Sequence, residues 1–289
     1  MQLPTKKLKS GFELPVYGLG TWQMGGRAER NPENNDEADI QAIKAAIDLG
    51  VTYLDTAESY ANGYSEVLLG KAIKDYDREK LLIVSKVSLE HLGFDDLINS
   101  CRNSLKNLDT PYLDLYLVHM YNPQIPLKES IRAMEVLLEE GLIKNIGVSN
   151  FNVERMEEAQ SLTKHKIVAN QIHLNLKYRE SERKGVLKYC QENDVMFIAW
   201  RPTQKGILLE NVPSILQDMA DKYQKTPAQV AINWLISQDH VTTLAKTTNI
   251  EHLKENLGAI GWEMEAGDIE KLRTEFPGQE DISDAVPID

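Results

Sequence analysis

Asp55, Tyr60, Lys86 and His119 are the residues of this chain best suited to proton chemistry. Asp55 follows Val51, Thr52, Tyr53 and Leu54, with Tyr60 five residues later; Lys86 closes the run Leu81, Leu82, Ile83, Val84 and Ser85; His119 closes Leu115, Tyr116, Leu117 and Val118. Each segment is a short apolar run ending in ionisable groups. If the runs are neighbouring parallel strands, those groups gather at one rim of the sheet.

Reducing a carbonyl takes a hydride at carbon and a proton at oxygen, and the oxygen is nearly an alkoxide before the proton arrives. Tyr60 is the best acid available. A free phenol, with a pKa of about 10, releases its proton poorly at neutral pH, and a neighbouring ammonium lowers that value. Lys86 is expected to supply the charge, Asp55 to hold Lys86, and His119 to orient the carbonyl and assist the transfer. Singly, a strand-end Asp or Lys is ordinarily an ion-paired loop residue, and a lone His or loop Tyr ordinarily packs. Four of them at strand ends favour the chemical reading.

The elements that must position them alternate strand and helix, the pattern of a parallel sheet with helical crossovers. Strands are predicted at 16–20, 52–55, 81–86, 113–118, 143–148, 168–172, 195–200 and 241–245. Helices are predicted at 36–49, 66–74, 95–107, 127–140, 152–163, 180–193 and 250–258, on stripes such as Ile40, Ile43 and Ile47. The fold class is therefore α/β, a closed (β/α)8 TIM barrel in one domain, 1–289. Two helices, 227–237 and 267–275, fall outside the repeat, and Ser10 and Gly11 between two alternating runs mark an N-terminal β-hairpin. The tail, 277–289, is acidic and poor in large apolar groups and is expected to be loosely held.

The ordered set Asp55, Thr56, Ala57 and Tyr60, then Ser85 and Lys86, then His119, resembles the aldo-keto reductase family. Gly147 to Phe151, Asn170 with Gln171, Ala199 to Pro202 and the 246–256 stretch match later family segments in order, so nearly the whole chain is covered. The resemblance implies NADPH-dependent reduction of aldehydes and ketones, a hairpin plugging the barrel floor, and the same roles for the four residues. Ser149, Asn150 and Gln171 match side chains that hold the nicotinamide carboxamide, and amide and hydroxyl groups supply both donors and acceptors for it. Trp200 stands where an aromatic stacks on the nicotinamide. Arg201, Thr203, Lys205 and Gly206 occupy the segment expected to hold the pyrophosphate, although it departs from the commoner Ser-Pro-Leu-x-x-Gly.

Lys246 and Thr247 lie where a strand runs into a helix, whose free N–H groups suit a phosphate. They resemble the family's site for the adenosine 2′-phosphate, with Glu255 and Asn256 matching adenine contacts. His252 replaces the Arg of many NADPH-specific members, and a neutral imidazole lacks that fixed positive fork. NADPH is the expected cofactor, with NADH also used. Trp22, Met24, Met120 and Tyr121 are expected to wall the substrate pocket, Met120 replacing a commoner Trp with an adaptable thioether. The family's C-terminal loop is short here, which implies an open site for a varied small-molecule carbonyl substrate.

A net charge of -12 argues against nucleic-acid partners. No stretch is long and apolar enough to cross a membrane, and the start of the chain lacks the apolar core of a secretion signal, so a cytoplasmic location is expected; nothing in the sequence marks an oligomer interface, so a monomer is expected, with an oligomer left open. Cys101 and Cys190 lie on apolar helical stripes and read as core residues rather than a disulfide. The six histidines show no metal-ligand spacing, which leaves an organic hydride source. Gly18 and Gly20 do not complete a dinucleotide fingerprint, because Gln23 stands where the third glycine belongs. Two rival functions are a regulatory barrel that keeps its nucleotide without turnover, and a lyase or isomerase using Lys86 as a Schiff-base amine.

Overall fold

The period-2 alternation of the short apolar runs decides which side chains face inward. In the computed structural model, which describes residues 3–288, β1 (Thr5–Lys7) and β2 (Glu13–Pro15) form an antiparallel hairpin. The following strands are β3 (Tyr17–Gly20), β4 (Tyr53–Asp55), β5 (Leu82–Val87), β6 (Leu115–Val118), β7 (Ile146–Ser149), β8 (Ile167–His173), β9 (Met196–Trp200) and β10 (Val241–Ala245). They close into a parallel barrel in sequence order, β10 pairing with both β3 and β9. The residues read for a leader and the end of the acidic tail lie partly outside the described range.

One core fills the barrel and a second surrounds it. Inside, Tyr53, Val84, Leu117 and Ile198 pack with Leu8, Phe12 and Leu14, so the hairpin closes the floor with apolar groups. Outside, Leu54, Ile83, Tyr116 and Phe197 from the same strands meet Ile43, Cys101, Met134 and Trp234 from the helices. Successive strand residues point to opposite faces. Two residues beyond the inward Tyr53, Val84, Leu117, Ala169 and Ile198 stand Asp55, Lys86, His119, Gln171 and Trp200. The inward phase is thus apolar through the barrel and polar at its C-terminal rim. Gly18 makes room for this filling, since a Cβ there would lie 2.4 Å from the Tyr53 ring.

Three features differ from expectation. The helix predicted over 180–193 is broken into Glu180–Arg183 and Val186–Glu192, with Gly185 in the left-handed region at φ +75°. Pro227–Ile236 is not outside the repeat: it packs on β10, and Thr226 and Gln229 form its reciprocal N-terminal cap. Ser214–Tyr223, unread in the sequence, packs on that helix and on Ala266–Glu275.

The tail also departs from expectation, because it is firmly held. Glu180, 2% exposed, accepts backbone N–H groups from Ser283 (2.8 Å) and Ile288 (3.0 Å), and Ile288 is itself buried. Acidic composition suggested a solvated end; the partners that anchor it lie about a hundred residues earlier. Cys101 and Cys190 are free and buried. Among the described residues, no helix is long and apolar enough to cross a membrane.

Candidate active site

Lys86 is fully buried, and its three ammonium protons have three acceptors. Nζ donates to Asp55 Oδ1 (2.6 Å), to the Thr56 carbonyl (2.8 Å) and to Tyr60 Oη (3.3 Å). The second Asp55 oxygen accepts from Gln171 Nε2 at 2.7 Å. Tyr60 therefore receives a hydrogen bond from the ammonium and keeps its own O–H to donate. Its ring meets Trp22 edge-on at 4.9 Å and His119 at 5.7 Å between centroids.

Charge and burial set the protonation states. Burial works against the Lys86 ammonium, but Asp55 and then Tyr60 outweigh it and raise its pKa. Burial pushes the Asp55 carboxyl up, opposed by Lys86 and Gln171. The net shift of Tyr60 is upward, because burial outweighs the lowering effect of Lys86. That reverses the expected direction and leaves the phenol holding its proton. Burial and then the Lys86 charge push His119 down to about 3, so its imidazole is neutral at physiological pH. Ser59 Oγ lies 3.3 Å from His119 Nδ1. With Ser59 donating, the ring proton sits on Nε2.

A cleft of about 850 Å³ runs from Tyr60 and His119, past Trp200, to Lys246 and His252. Ser149 Oγ donates to the Gln171 carbonyl (2.7 Å), and Asn150 Nδ2 donates to Ser149 Oγ (2.9 Å) and the His119 carbonyl (3.2 Å). Asn150 Oδ1 is buried with no hydrogen-bond partner among the described residues. An unpaired buried acceptor is costly, and a carboxamide N–H group is the kind of donor that fits it. Trp200 stacks on His173 at 4.2 Å with ring planes 6° apart. A separate hollow of about 500 Å³ beside Glu135, Glu139 and Lys164 contains none of these groups.

The Aldo/keto reductase family model matches residues 17–274. The chain belongs to the aldo/keto reductase family. It is 32% identical to methylglyoxal reductase YeaE of Escherichia coli, covering 96% of each chain, and 34% identical to glyoxal reductase of Bacillus subtilis, covering 93% of this chain and 91% of that one. A thermostable aldo-keto reductase solved with the inhibitor epalrestat superposes with a TM-score of 0.91 at 41% identity, covering 94% of this chain and 99% of that chain. An aldo/keto reductase from Klebsiella pneumoniae solved with NADP and acetate gives 0.84 at 30% identity, covering 99% and 100%.

In this aldo/keto reductase, Arg201, Thr203, Lys205 and Gly206 line the middle of the cleft, and Lys246, Thr247, His252, Glu255 and Asn256 its far end. Thr247 is already engaged, closing a turn with Asn249, and Asn256 Nδ2 donates to Tyr17 Oη at 3.1 Å. Trp22 and Met120 line the near end. Met24 does not: it is buried in the outer core, because Gln23 takes the left-handed conformation (φ 74°) and turns the next side chain away. Tyr121 is turned onto Phe151, 6.2 Å between centroids, beneath the Arg155 guanidinium.

Several contributors went unread. Ser59 sits inside the very segment that identified Tyr60, and period 2 from Gln171 would have pointed to His173. Asp284, Ala285 and Val286 of the tail line the cleft, so the short C-terminal loop still supplies part of its wall. Nothing local marks these three, since their place is set by contacts distant in sequence.

Proposed function

We propose that this aldo/keto reductase reduces aldehydes and ketones to alcohols with NADPH, Tyr60 being the general acid. The observation that carries the reading is Lys86 Nζ bonded to both Asp55 and Tyr60 at the end of a cleft that continues to Lys246. Ser149, Gln171 and the unpaired Asn150 oxygen suit the carboxamide, Trp200 the ring, Arg201, Thr203, Lys205 and Gly206 the pyrophosphate, and Lys246 the 2′-phosphate. His252, Glu255 and Asn256 suit the adenosine. Bound NADPH supplies the hydride.

The chain's own residues handle the proton. A carbonyl oxygen held between Tyr60 Oη and the His119 Nε2–H gains negative charge as its carbon is reduced, and fixed donors stabilise that charge without reorganising. Tyr60 gives its proton to this oxygen, which completes the alcohol. The resulting phenolate is stabilised by Lys86, whose charge Asp55 and Gln171 hold in place, until a proton from solvent restores it. A neutral His119 acts here as a hydrogen-bond donor and not as a second acid.

The relatives named methylglyoxal and glyoxal reductases suggest small aldehydes as substrates. Trp22, Met120 and Val286 supply the apolar wall for them. His252 in place of a guanidinium supports some use of NADH. The buried free thiols support a cytoplasmic location, and we take the chain as one domain working as a monomer, to be checked by light scattering. The Schiff-base alternative is disfavoured because an imine needs a neutral, reachable amine, whereas Lys86 is buried and paired. The regulatory alternative gives no reason for an intact proton-donating set. The test is NADPH absorbance with a panel including methylglyoxal, glyoxal and larger aldehydes; no decline with any of them sinks the reading.

A further inference from the structure

His173, at the end of β8 and 2% exposed, backs Trp200 but takes no part in the proton chemistry. Its ring stacks on Trp200 at 4.2 Å and on Tyr178 at 4.9 Å. Its two nitrogens reach two different segments: Nδ1 lies 2.8 Å from Ser283 Oγ, in the tail, and Nε2 lies 2.9 Å from Gln204 Oε1, in the loop after β9. Ser283 Oγ already accepts the backbone N–H groups of Ala285 (3.2 Å) and Val286 (3.1 Å), so its hydroxyl proton is left to donate to Nδ1. The ring proton then sits on Nε2 and donates to Gln204. Burial agrees with an uncharged ring, holding His173 at about 4.

The loop that Gln204 anchors is a strained one. Arg201, Gln204 and Lys205 all have left-handed backbones, with φ of 58°, 48° and 57°. Such conformations in residues with a Cβ persist only where the surroundings over-determine them. The Gln204 side chain supplies that constraint. It is 1% exposed, accepts from His173 and from Asn175 Nδ2 (3.0 Å), and donates to Asp284 Oδ2 (2.9 Å). Asn175 also donates to the Arg201 carbonyl at 2.9 Å.

We propose that His173 is a positioning residue for the dinucleotide, a neutral imidazole that backs Trp200 and, through Gln204 and Ser283, holds the strained 201–206 loop and the C-terminal segment in their binding arrangement before the cofactor arrives. The inference rests on the reading that this cleft takes NADPH. Its logic is preorganisation: a loop already fixed by the protein need not be ordered at the expense of cofactor affinity.

The experiment is equilibrium titration of NADPH and NADH into the wild type, His173→Phe, Ser283→Ala and the double variant. Phe keeps a flat ring between Trp200 and Tyr178 but makes neither hydrogen bond, and Ser283→Ala deletes the hydroxyl's bond to Nδ1 together with the Ala285 and Val286 N–H bonds it accepts while leaving the imidazole in place, so it reports even if the Phe variant folds poorly. Ser283→Ala is expected to weaken both dinucleotides by the same factor, about three- to tenfold, the scale of its one lost link to the imidazole, and His173→Phe by more. The double variant should lose less than the product of the two single losses, because both act in part through one imidazole. Carbonyl KM at saturating NADPH should change less than dinucleotide affinity. Affinities equal to wild type with only a lowered melting temperature, or additive losses in the double variant, overturn the proposal. A wild type that binds neither dinucleotide overturns the cofactor reading and this inference together.

Discussion

Replacing Lys86 with Met tests the centre of the site through stability as well as activity. The side chains of Lys86 and Asp55 are 0% and 2% exposed and meet at 2.6 Å. Methionine fills much of the same volume, so the main loss is electrostatic. Asp55 is left with one donor, Gln171, in a buried setting. Removing one partner of a buried pair costs about 3–5 kcal/mol. At an unfolding entropy of about 2.1 cal/mol/K per residue, the 289 residues sum to about 0.6 kcal/mol/K, so the melting temperature should fall by about 5–8 °C. The double variant Asp55→Asn, Lys86→Met carries no charge at this position and should regain most of the loss. Differential scanning calorimetry on the wild type and both variants reads this directly. A single variant melting with the wild type, or a double variant no more stable than the single, refutes the pairing argument. Turnover should be abolished in both variants, because neither retains the ammonium beside Tyr60.

Tyr60→Phe should leave NADPH affinity nearly intact and lower kcat by at least about 10²-fold, the contribution of one general acid; steady-state kinetics with any accepted aldehyde checks it, and unchanged turnover removes Tyr60 from its role. Lys246→Met should weaken NADPH by about 10- to 100-fold and NADH far less, as befits a charged hydrogen bond to a phosphate that NADH lacks; equal losses in titration would put the 2′-phosphate elsewhere. Glu66 is fully buried, with Ser85 Oγ (2.6 Å) and Asn107 Nδ2 (3.1 Å) as donors, and burial raises its pKa from 4.5. A folded carboxyl raised above its unfolded value stabilises fully below the unfolded pKa, and that stability is lost as pH rises through the folded one. Glu66→Gln should therefore gain melting temperature over the wild type progressively as pH rises above 4.5; a difference independent of pH would show that the Glu66 carboxyl is not raised.

What could be read from the sequence is what strand geometry transmits locally. Alternation sends every second residue of a strand inward, so Asp55, Lys86, His119, Gln171 and Trp200 could be assigned to one rim before any coordinates, each from its own few neighbours. That rule ends where the strands end. Trp22 and Met24, two residues apart, would share a face in a strand; the left-handed backbone at Gln23 sends one to Tyr60 and the other into the core. The helix Ser214–Tyr223 has Leu216, Met219 and Ala220 at helical spacing but no side-chain cap at its N-terminus, whereas Pro227–Ile236 carries a capping box, the stronger local signal.

The tail exposes a different limit. Its acidic residues looked like a solvated end, yet Asp284 is bonded to Gln204 and Ser283 to both His173 and Glu180, partners from the loop after β9, the end of β8 and a short helix. Composition measures what a segment can bury by itself, whereas this segment is held by polar groups that the barrel supplies. The catalytic rim is therefore local information repeated on several strands, and the cofactor side of the cleft is long-range information carried by few residues. Substitutions at the rim should act on chemistry and be coupled where Gln171, Asp55, Lys86 and Tyr60 share hydrogen bonds. Those in the loop and tail should act together, since Gln204, Ser283 and Asp284 meet in one hydrogen-bonded group around His173.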